Sequence, residues 1–298
     1  MKEPFRAGYV AIVGYPNVGK STLTNTLLGA KISIVTHKPQ TTRHRVLGIV
    51  TREGYQMILM DTPGLLAAAP HALDEAMMNA VSDALAGADV LCVVAEPRPD
   101  FLGGPAMLVD RVRAAGRPAV LAINKVDTVP DKKGILPFIE EAAAAYPWGA
   151  IVPISAMKGE NVDALEAECA KLLPESPPLY PPDELSDRPE RFFVTEIIRE
   201  RILVRYGDEI PYATAVEIAE FSERPGRKDY IKAIIWVEKE SQKGILIGRG
   251  GQALKRVGTE ARRAVEAFLG RPVYLELSVD VQEKWRREES FVRRLGYP

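Results

Sequence analysis

The sequence has little of what marks an exported or membrane-embedded chain. Its 298 residues contain two cysteines, Cys92 and Cys169. Both lie in apolar surroundings and far apart, so they read as reduced, buried thiols rather than a disulfide. No apolar run approaches the roughly 20 residues that a membrane-spanning helix requires. Residues 1–8 have neither an apolar core nor a small-residue cleavage pattern, so the expected location is the cytoplasm. An excess of one charge is also missing: the formal net charge is -1. Residues 1–182 carry 17 basic and 19 acidic side chains, and residues 183–298 carry 22 and 21. A bulk electrostatic grip on a polyanion is therefore excluded, and any basic surface must be local. One stretch qualifies, residues 243–263, where Lys243, Arg249, Lys255, Arg256, Arg262 and Arg263 face Glu260 alone.

What is present suits a globular chain, with 46% hydrophobic and 27% charged residues. The length allows two cores, of roughly 170 and 110 residues. Up to about residue 173, short β-rich runs alternate with helical patterns, which predicts an α/β domain with a mostly parallel sheet and helices on both faces. Strands are expected at 9–13, 45–51, 55–60, 90–94, 119–123 and 150–154. Helices are expected at 21–28, 72–86, 102–115, 134–146 and 162–173. Residues 174–189 then hold six prolines in sixteen positions, a composition that reads as a semi-rigid linker. The expected organisation is a domain over 1–175, a linker over 176–188 and a smaller α+β domain over 189–298. The second domain reads as a helix to 206, strands at 213–221 and 231–237, and a helix-loop-helix around 248–251. A strand at 273–279 and a polar helix at 284–295 follow.

Directly after the first strand and before a helix stands Gly14-Tyr15-Pro16-Asn17-Val18-Gly19-Lys20-Ser21. This is a phosphate loop in its strand-loop-helix context. Its backbone N–H groups and the helix N-terminus suit α- and β-phosphates, Lys20 the β- and γ-phosphates, and Ser21 a Mg²⁺ ion; Thr22 follows on the helix. Asp61-Thr62-Pro63-Gly64 ends an apolar strand, where Asp61 can hold Mg²⁺ through water and the Gly64 N–H can sense a γ-phosphate. Asn124-Lys125-Val126-Asp127 ends another strand. The Asp127 carboxylate can accept from guanine N1–H and the exocyclic amine, a donor pair that adenine lacks. Ser155-Ala156-Met157 ends the last strand, where a backbone N–H can meet guanine O6. Four such segments at the C-terminal ends of strands predict a GTP/GDP site.

The motif order resembles that of the translation-factor-related GTPases. The resemblance implies a switch threonine between the first two motifs that binds Mg²⁺ and the γ-phosphate. Thr41 and Thr42 are both candidates; Thr42, directly before Arg43, is preferred. One departure bears on rate. Where Ras-like enzymes carry a Gln that orients the attacking water, this chain has Leu65. Slow intrinsic hydrolysis is expected, with Lys20, Thr42, Asp61 and Gly64 as the catalytic set. Similar families with Asn in the phosphate loop bind K⁺ there, so Asn17 is a candidate K⁺ ligand, with simple bracing of the loop as the alternative. Arg43, His44 and Arg45 are either a contact for RNA or a partner, or a solvated loop.

In the second domain, Gly248-Arg249-Gly250-Gly251 sits between two helices, where backbone N–H groups can meet phosphates without Cβ obstruction. Leu254, Val257, Ala261, Val265 and Phe268 recur at helical spacing and are expected to pack inward. The element order resembles a type II K-homology (KH) module, whose Gly-x-x-Gly loop clamps about four nucleotides of a single strand. Gly248, Arg249, Gly250, Gly251, Lys255 and Arg256 are the candidate RNA contacts. Tyr230, Trp236 and Tyr274 are the few aromatics nearby and are read as core. The whole chain, including residues 38–45 and 293–297, resembles the Era family: a Ras-like P-loop GTPase domain followed by a type II KH domain. That resemblance implies a monomeric factor of 30S ribosomal subunit assembly that binds 16S rRNA near its 3′ end. It also allows peripheral association with the inner face of the cell membrane.

Overall fold

The computed structural model describes residues 4–297 except 37, 39, 67, 68, 99–106 and 208. It divides into two compact units, the first from residues 1–68 and 77–187, the second built on 188–298. The first unit holds a six-stranded sheet of β1 (Arg6–Val13), β2 (Val46–Arg52), β3 (Tyr55–Asp61), β4 (Val90–Ala95), β5 (Ala119–Ile123) and β6 (Ala150–Pro153). The order is β2-β3-β1-β4-β5-β6, with β2 antiparallel to β3 and every other pair parallel.

Alternation along β1 shows why there are two cores. Ala11 and Val13 point to one face, into a cluster with Val81 and Ala84 of α2 (Ala72–Gly87). Leu108 and Val112 of α3 (Met107–Ala115) and Ala142 of α4 (Leu136–Ala145) complete that cluster. Val10 and Ile12 point to the other face, against Leu23 and Leu27 of α1 (Lys20–Leu28) and Leu165 and Cys169 of α5 (Val162–Lys171). A strand buried on both faces reads as a continuous apolar run, which is how β4 and β5 appear. Cys92 and Cys169 are free and buried, as their surroundings suggested. The expected helix at 102–115 begins at Met107; its first positions, 102–106, lie outside the described residues.

The proline-rich stretch differs from a plain linker, because it is bound along the first unit. Gln56, wholly buried on β3, accepts from the N–H groups of Leu179 (2.8 Å) and Tyr180 (2.9 Å) and donates to the Tyr180 carbonyl (2.9 Å). The N–H of Ile49 on the edge strand β2 donates to the Leu185 carbonyl (2.9 Å), and the Ser186 hydroxyl to the Leu47 carbonyl (2.5 Å). The strap thus satisfies backbone groups that an edge strand otherwise leaves open.

The second unit is a three-stranded sheet of β7 (Ala215–Ser222), β8 (Asp229–Val237) and β9 (Val273–Val281), in that order. β7 is antiparallel and β9 parallel to β8. One sheet face is covered by α6 (Glu190–Arg205), α8 (Glu240–Ile247) and α9 (Gln252–Leu269), with the one-turn α7 (Ile210–Ala213) before β7. Val194, Ile198, Ile235, Leu246, Val257, Ala261 and Val265 form the core between them. Two expectations need correction. Phe268 stays 37% exposed and packs on Phe193, because its position on α9 is at the edge of the buried stripe. The tail is not a wholly polar helix: Trp285 is wholly buried and donates its indole N–H to the Ala213 carbonyl (2.8 Å). After it α10 (Glu289–Arg294) buries Phe291 and Val292. Basic residues surround those apolar anchors, and the charge count hid them.

Replacing Gln56 by Ala removes the buried partner of the Leu179 and Tyr180 N–H groups. Loss of about 1–3 kcal/mol from the first unit is expected, measured by urea unfolding of the full chain. Limited chymotrypsin digestion should show faster cleavage after Leu179.

Candidate nucleotide site and nucleic-acid cleft

The candidate nucleotide residues meet at the C-terminal edge of the first sheet. The phosphate loop leaves β1 at Gly14 and enters α1 at Lys20. Gly19 has φ +100°, and a Cβ there would lie 2.2 Å from Asn124 Nδ2, so no side chain fits. Lys20 is buried and donates from Nζ to the carbonyls of Gly14 (3.0 Å) and Tyr15 (2.9 Å), which holds the ammonium inside the loop. Burial lowers its pKa to about 8, while Asp61 pulls it up. Val18 is buried, and Asn17 is exposed with φ +65°.

Asn124 joins the loops. Its Nδ2 donates to the Val18 carbonyl (2.7 Å) and its Oδ1 accepts from the Ala156 N–H (2.9 Å). The Thr26 hydroxyl of α1 reaches the Ala156 carbonyl (2.8 Å), so phosphate loop, helix and base loop form one hydrogen-bonded body. Beside them Asp127 is held below the usual carboxylate range, chiefly by the Ser155 hydroxyl and further by Lys158. It is therefore an anion aimed at ring donors. Lys125 has φ +64° and its Nζ pairs with Glu96 Oε2 (3.0 Å), just past the end of β4. Sequence reasoning missed Glu96, although a carboxylate directly after the all-apolar run Val90–Ala95 was the available signal. Met157 is 76% exposed, so its place in the segment rests on its backbone.

The residues assigned to Mg²⁺ also converge. The hydroxyls of Ser21 and Thr42 are hydrogen-bonded at 2.8 Å. Thr41 Oγ1 instead engages the Thr36 hydroxyl (2.7 Å) and the Lys38 carbonyl (2.6 Å). Asp61 is wholly buried, and neither carboxylate oxygen has a hydrogen-bond partner. Burial raises its pKa against the pull of Ser21, Ser33 and Lys20. An orphaned buried carboxylate near two apposed hydroxyls, Ser21 at the start of α1 and Thr42 before β2, fits a hard cation whose remaining ligands are phosphate and water. Among the described residues no group of three or more His, Cys, Asp or Glu holds a metal by itself.

One switch-region expectation changes. Arg43 and His44 are buried, so this part of the cluster is neither a solvated loop nor a docking surface as it stands. Leu65 is 3% exposed and packs in the core with Val13 and Met60, while its N–H donates to the Gly14 carbonyl (3.2 Å). Gly64 stands before it, closely apposed to Pro16.

In the second unit, Gly248 ends α8 with φ +70°, and a Cβ there would come within 2.6 Å of the Ala253 Cβ. Gly250 and Gly251 are also left-handed, and α9 starts at Gln252. Alongside runs a cleft of about 540 Å³ lined by Gly251, Leu254, Lys255, Thr259, Arg262 and Tyr274, among others. Arg249 and Arg256 are exposed outside that lining. Lys228, Thr259, Arg262 and Tyr274 were absent from the candidate set; Thr259 and Arg262 lie at i+4 and i+7 from Lys255, a spacing that could have found them. Leu254 packs against the core as expected and also lines the cleft, which gives the groove its apolar floor.

The comparisons agree with this geometry. A family model described as "50S ribosome-binding GTPase" matches residues 9–125, and a KH domain model matches residues 209–286. GTPase Era of Stenotrophomonas maltophilia (strain R551-3) is 45% identical over 297 residues, covering 99% of both chains. GTPase Era of Coxiella burnetii (strain Dugway 5J108-111) is 43% identical over 295 residues, again covering 99% of both. The chain belongs to the Era family of GTPases. A solved variant of Aquifex aeolicus Era bound to GDP·AlF4⁻ superposes with TM-score 0.93 at 40% identity, covering 98% of this chain and 99% of that one. An Era structure in complex with MgGDPNP and nucleotides 1506–1542 of 16S ribosomal RNA gives TM-score 0.92 at 40% identity, with the same coverage. The chain is thus a P-loop GTPase with a C-terminal KH domain.

Asp229 starts β8, next to Lys228 of the cleft lining. It is 5% exposed, accepts from Arg271 Nε (2.6 Å) and the Arg224 N–H (3.0 Å), and its pKa lies below the ordinary 3.8, first because of Arg271. A lowered carboxylate pKa stabilises above 3.8 and ceases to do so as pH falls through the folded value. Asp229→Asn should therefore cost about 2 kcal/mol at pH 7. The gap to the unaltered chain should close below about pH 4, as followed by thermal unfolding across pH.

Proposed function

We propose that the chain is a GTP-controlled RNA clamp: it binds GTP with Mg²⁺, hydrolyses it slowly, and holds single-stranded 16S rRNA near its 3′ end through the KH cleft. On this reading it acts in the cytoplasm as a monomeric factor of 30S subunit assembly. Residues 1–175 are the GTPase domain, 176–188 the connector and 189–298 the KH domain; the division into compact units after Asp187 supports that boundary. The observation that carries the proposal is the whole-length likeness to an Era that holds MgGDPNP and 16S rRNA nucleotides at once. Peripheral membrane association draws no support here beyond the family resemblance; among the described residues no helix is long and apolar enough to cross a membrane.

In this mechanism Lys20 and the phosphate-loop N–H groups take the phosphates, and Ser21, Thr42 and Asp61 hold the Mg²⁺, which would neutralise charge between the β- and γ-phosphates. The Ser21–Thr42 contact favours Thr42 over Thr41 for this role. The Gly64 N–H faces the γ-phosphate. Asp127 reads the guanine donors, and Ser155 keeps it ionised. Leu65 supplies no hydrogen bond to water, and its burial means that the position is committed to packing. The left-handed, exposed Asn17 is offered as the K⁺ ligand that partly replaces it.

Three outcomes are expected. RNA of the 16S 3′ end should bind the full chain at least about tenfold tighter with a non-hydrolysable GTP analogue than with GDP, a coupling of about 1.4 kcal/mol. Equal affinities in the two states contradict the switch, and absence of RNA binding in both contradicts the clamp. Turnover should be faster in KCl than in NaCl at equal ionic strength; identical rates remove Asn17 from the mechanism. Leu65→Gln buries an amide in the core, so it should lower unfolding stability by about 1–3 kcal/mol without raising turnover.

A further inference from the structure

The three aromatics read as core divide into two groups. Trp236 is covered: its indole N–H donates to Glu217 (2.7 Å), Phe291 meets it edge-on at 5.4 Å, and Arg294 lies over the ring. Tyr230 and Tyr274 are different. They are in-register neighbours on β8 and β9, with rings 5.9 Å apart and 14° from parallel. The Arg224 guanidinium lies 4.8 Å from the Tyr230 ring centre on the same ladder. Tyr274 stands on the edge strand and is 57% exposed, which leaves the ladder open at that end.

The ladder is held from below. Tyr230 donates its hydroxyl to Glu276 (2.7 Å), and the Asp229 carboxylate accepts the Arg224 N–H, so the hairpin turn that carries Arg224 is tied to the strand that carries Tyr230. Tyr274 also lines the Gly-x-x-Gly cleft, together with Lys228 of that hairpin. The cleft and the ladder therefore meet at Tyr274, from which the ladder runs onto the opposite face of the sheet, at the end of β8 away from Trp236 and α10.

We propose that Arg224, Tyr230 and Tyr274 form a stacking platform for a base of single-stranded RNA that lies beyond the nucleotides held in the cleft. The proposal rests on the reading of the cleft as an RNA groove. A flat π-face on the open end of a cation-backed ladder suits any nucleobase, since base stacking on aromatics tolerates sequence. Glu276 beside the rings is already engaged, by the Tyr230 hydroxyl (2.7 Å) and by Lys232 (3.5 Å), so what the platform offers at its open end is the Tyr274 ring. Arg227 and Lys228 are exposed on the hairpin, where the strand's phosphates would pass.

The test uses the full chain with a GTP analogue and two oligoribonucleotides. One is the shortest fragment of the 16S rRNA 3′ end that the unaltered chain binds; the other is that fragment lengthened by two nucleotides at each end. Tyr274→Ala should weaken binding of the longer oligomer by roughly tenfold, within the range for one stacked base, and Tyr274→Phe, which keeps the ring, should match the unaltered chain; because Tyr274 also lines the cleft, Arg224 carries the comparison between the two oligomers. Arg224→Ala, outside the cleft lining, should weaken only the longer oligomer and keeps the test valid if Tyr274→Ala unfolds. Equal losses on both oligomers, or no loss on the longer, overturn the platform. Failure of the unaltered chain to bind any such fragment overturns the RNA reading instead.

Discussion

The buried amide of Asn124 is the interaction on which the first unit's chemistry depends. Through one side chain it ties the carbonyl of Val18 to the N–H of Ala156, two backbone groups 138 positions apart in sequence. Lys20 braces the phosphate loop internally, but it is Asn124 that joins that loop to the base loop, and both must be still for a nucleotide to be read. Gly19 is the complement of this contact: the amide occupies the space where a Cβ would sit. A buried amide with donor and acceptor both used is costly to disturb, because each lost bond leaves a desolvated backbone group. The same body reaches Mg²⁺ chemistry through α1, since Lys20 and Ser21 begin the helix whose Thr26 hydroxyl is hydrogen-bonded to Ala156.

The two units divide labour in physical style. The nucleotide site is made of loops at the ends of buried parallel strands, with its polarity concentrated in a few satisfied groups and in the one orphaned carboxylate of Asp61. The KH cleft is a shallow groove with an apolar floor and cationic rims, in which left-handed glycines expose backbone. With 17 basic against 19 acidic side chains in residues 1–182 and 22 against 21 in residues 183–298, affinity for a polyanion has to come from local geometry. That is why the edge aromatic Tyr274 and the hairpin that carries Arg224 matter.

Much of this was legible in the sequence, for identifiable reasons. The phosphate loop, the Asp61, Asn124 and Ser155 segments and the Gly-x-x-Gly loop are local patterns whose geometry follows from their own residues. What stayed hidden depended on distant partners. Nothing near Gln56 announces that it binds residues 179–180, so a proline-rich stretch read as linker where it is a strap. Trp285 is surrounded by charge, and only its contact with Ala213 reveals an anchor. Leu65 could be read as a missing glutamine, but not as a core residue. Arg43 looked like surface by type and is buried by context. Tyr274 was read as core, although it stands on the edge strand and is 57% exposed.

The most direct test of the central claim is the GDP dissociation constant of the Asn124→Ala chain. Loss of one or both amide bonds predicts an increase of at least about tenfold, equivalent to 1.4 kcal/mol, with unfolding of the second unit unchanged. A dissociation constant within about twofold of the unaltered chain would show that the two loops hold their places without the amide, and would contradict the account.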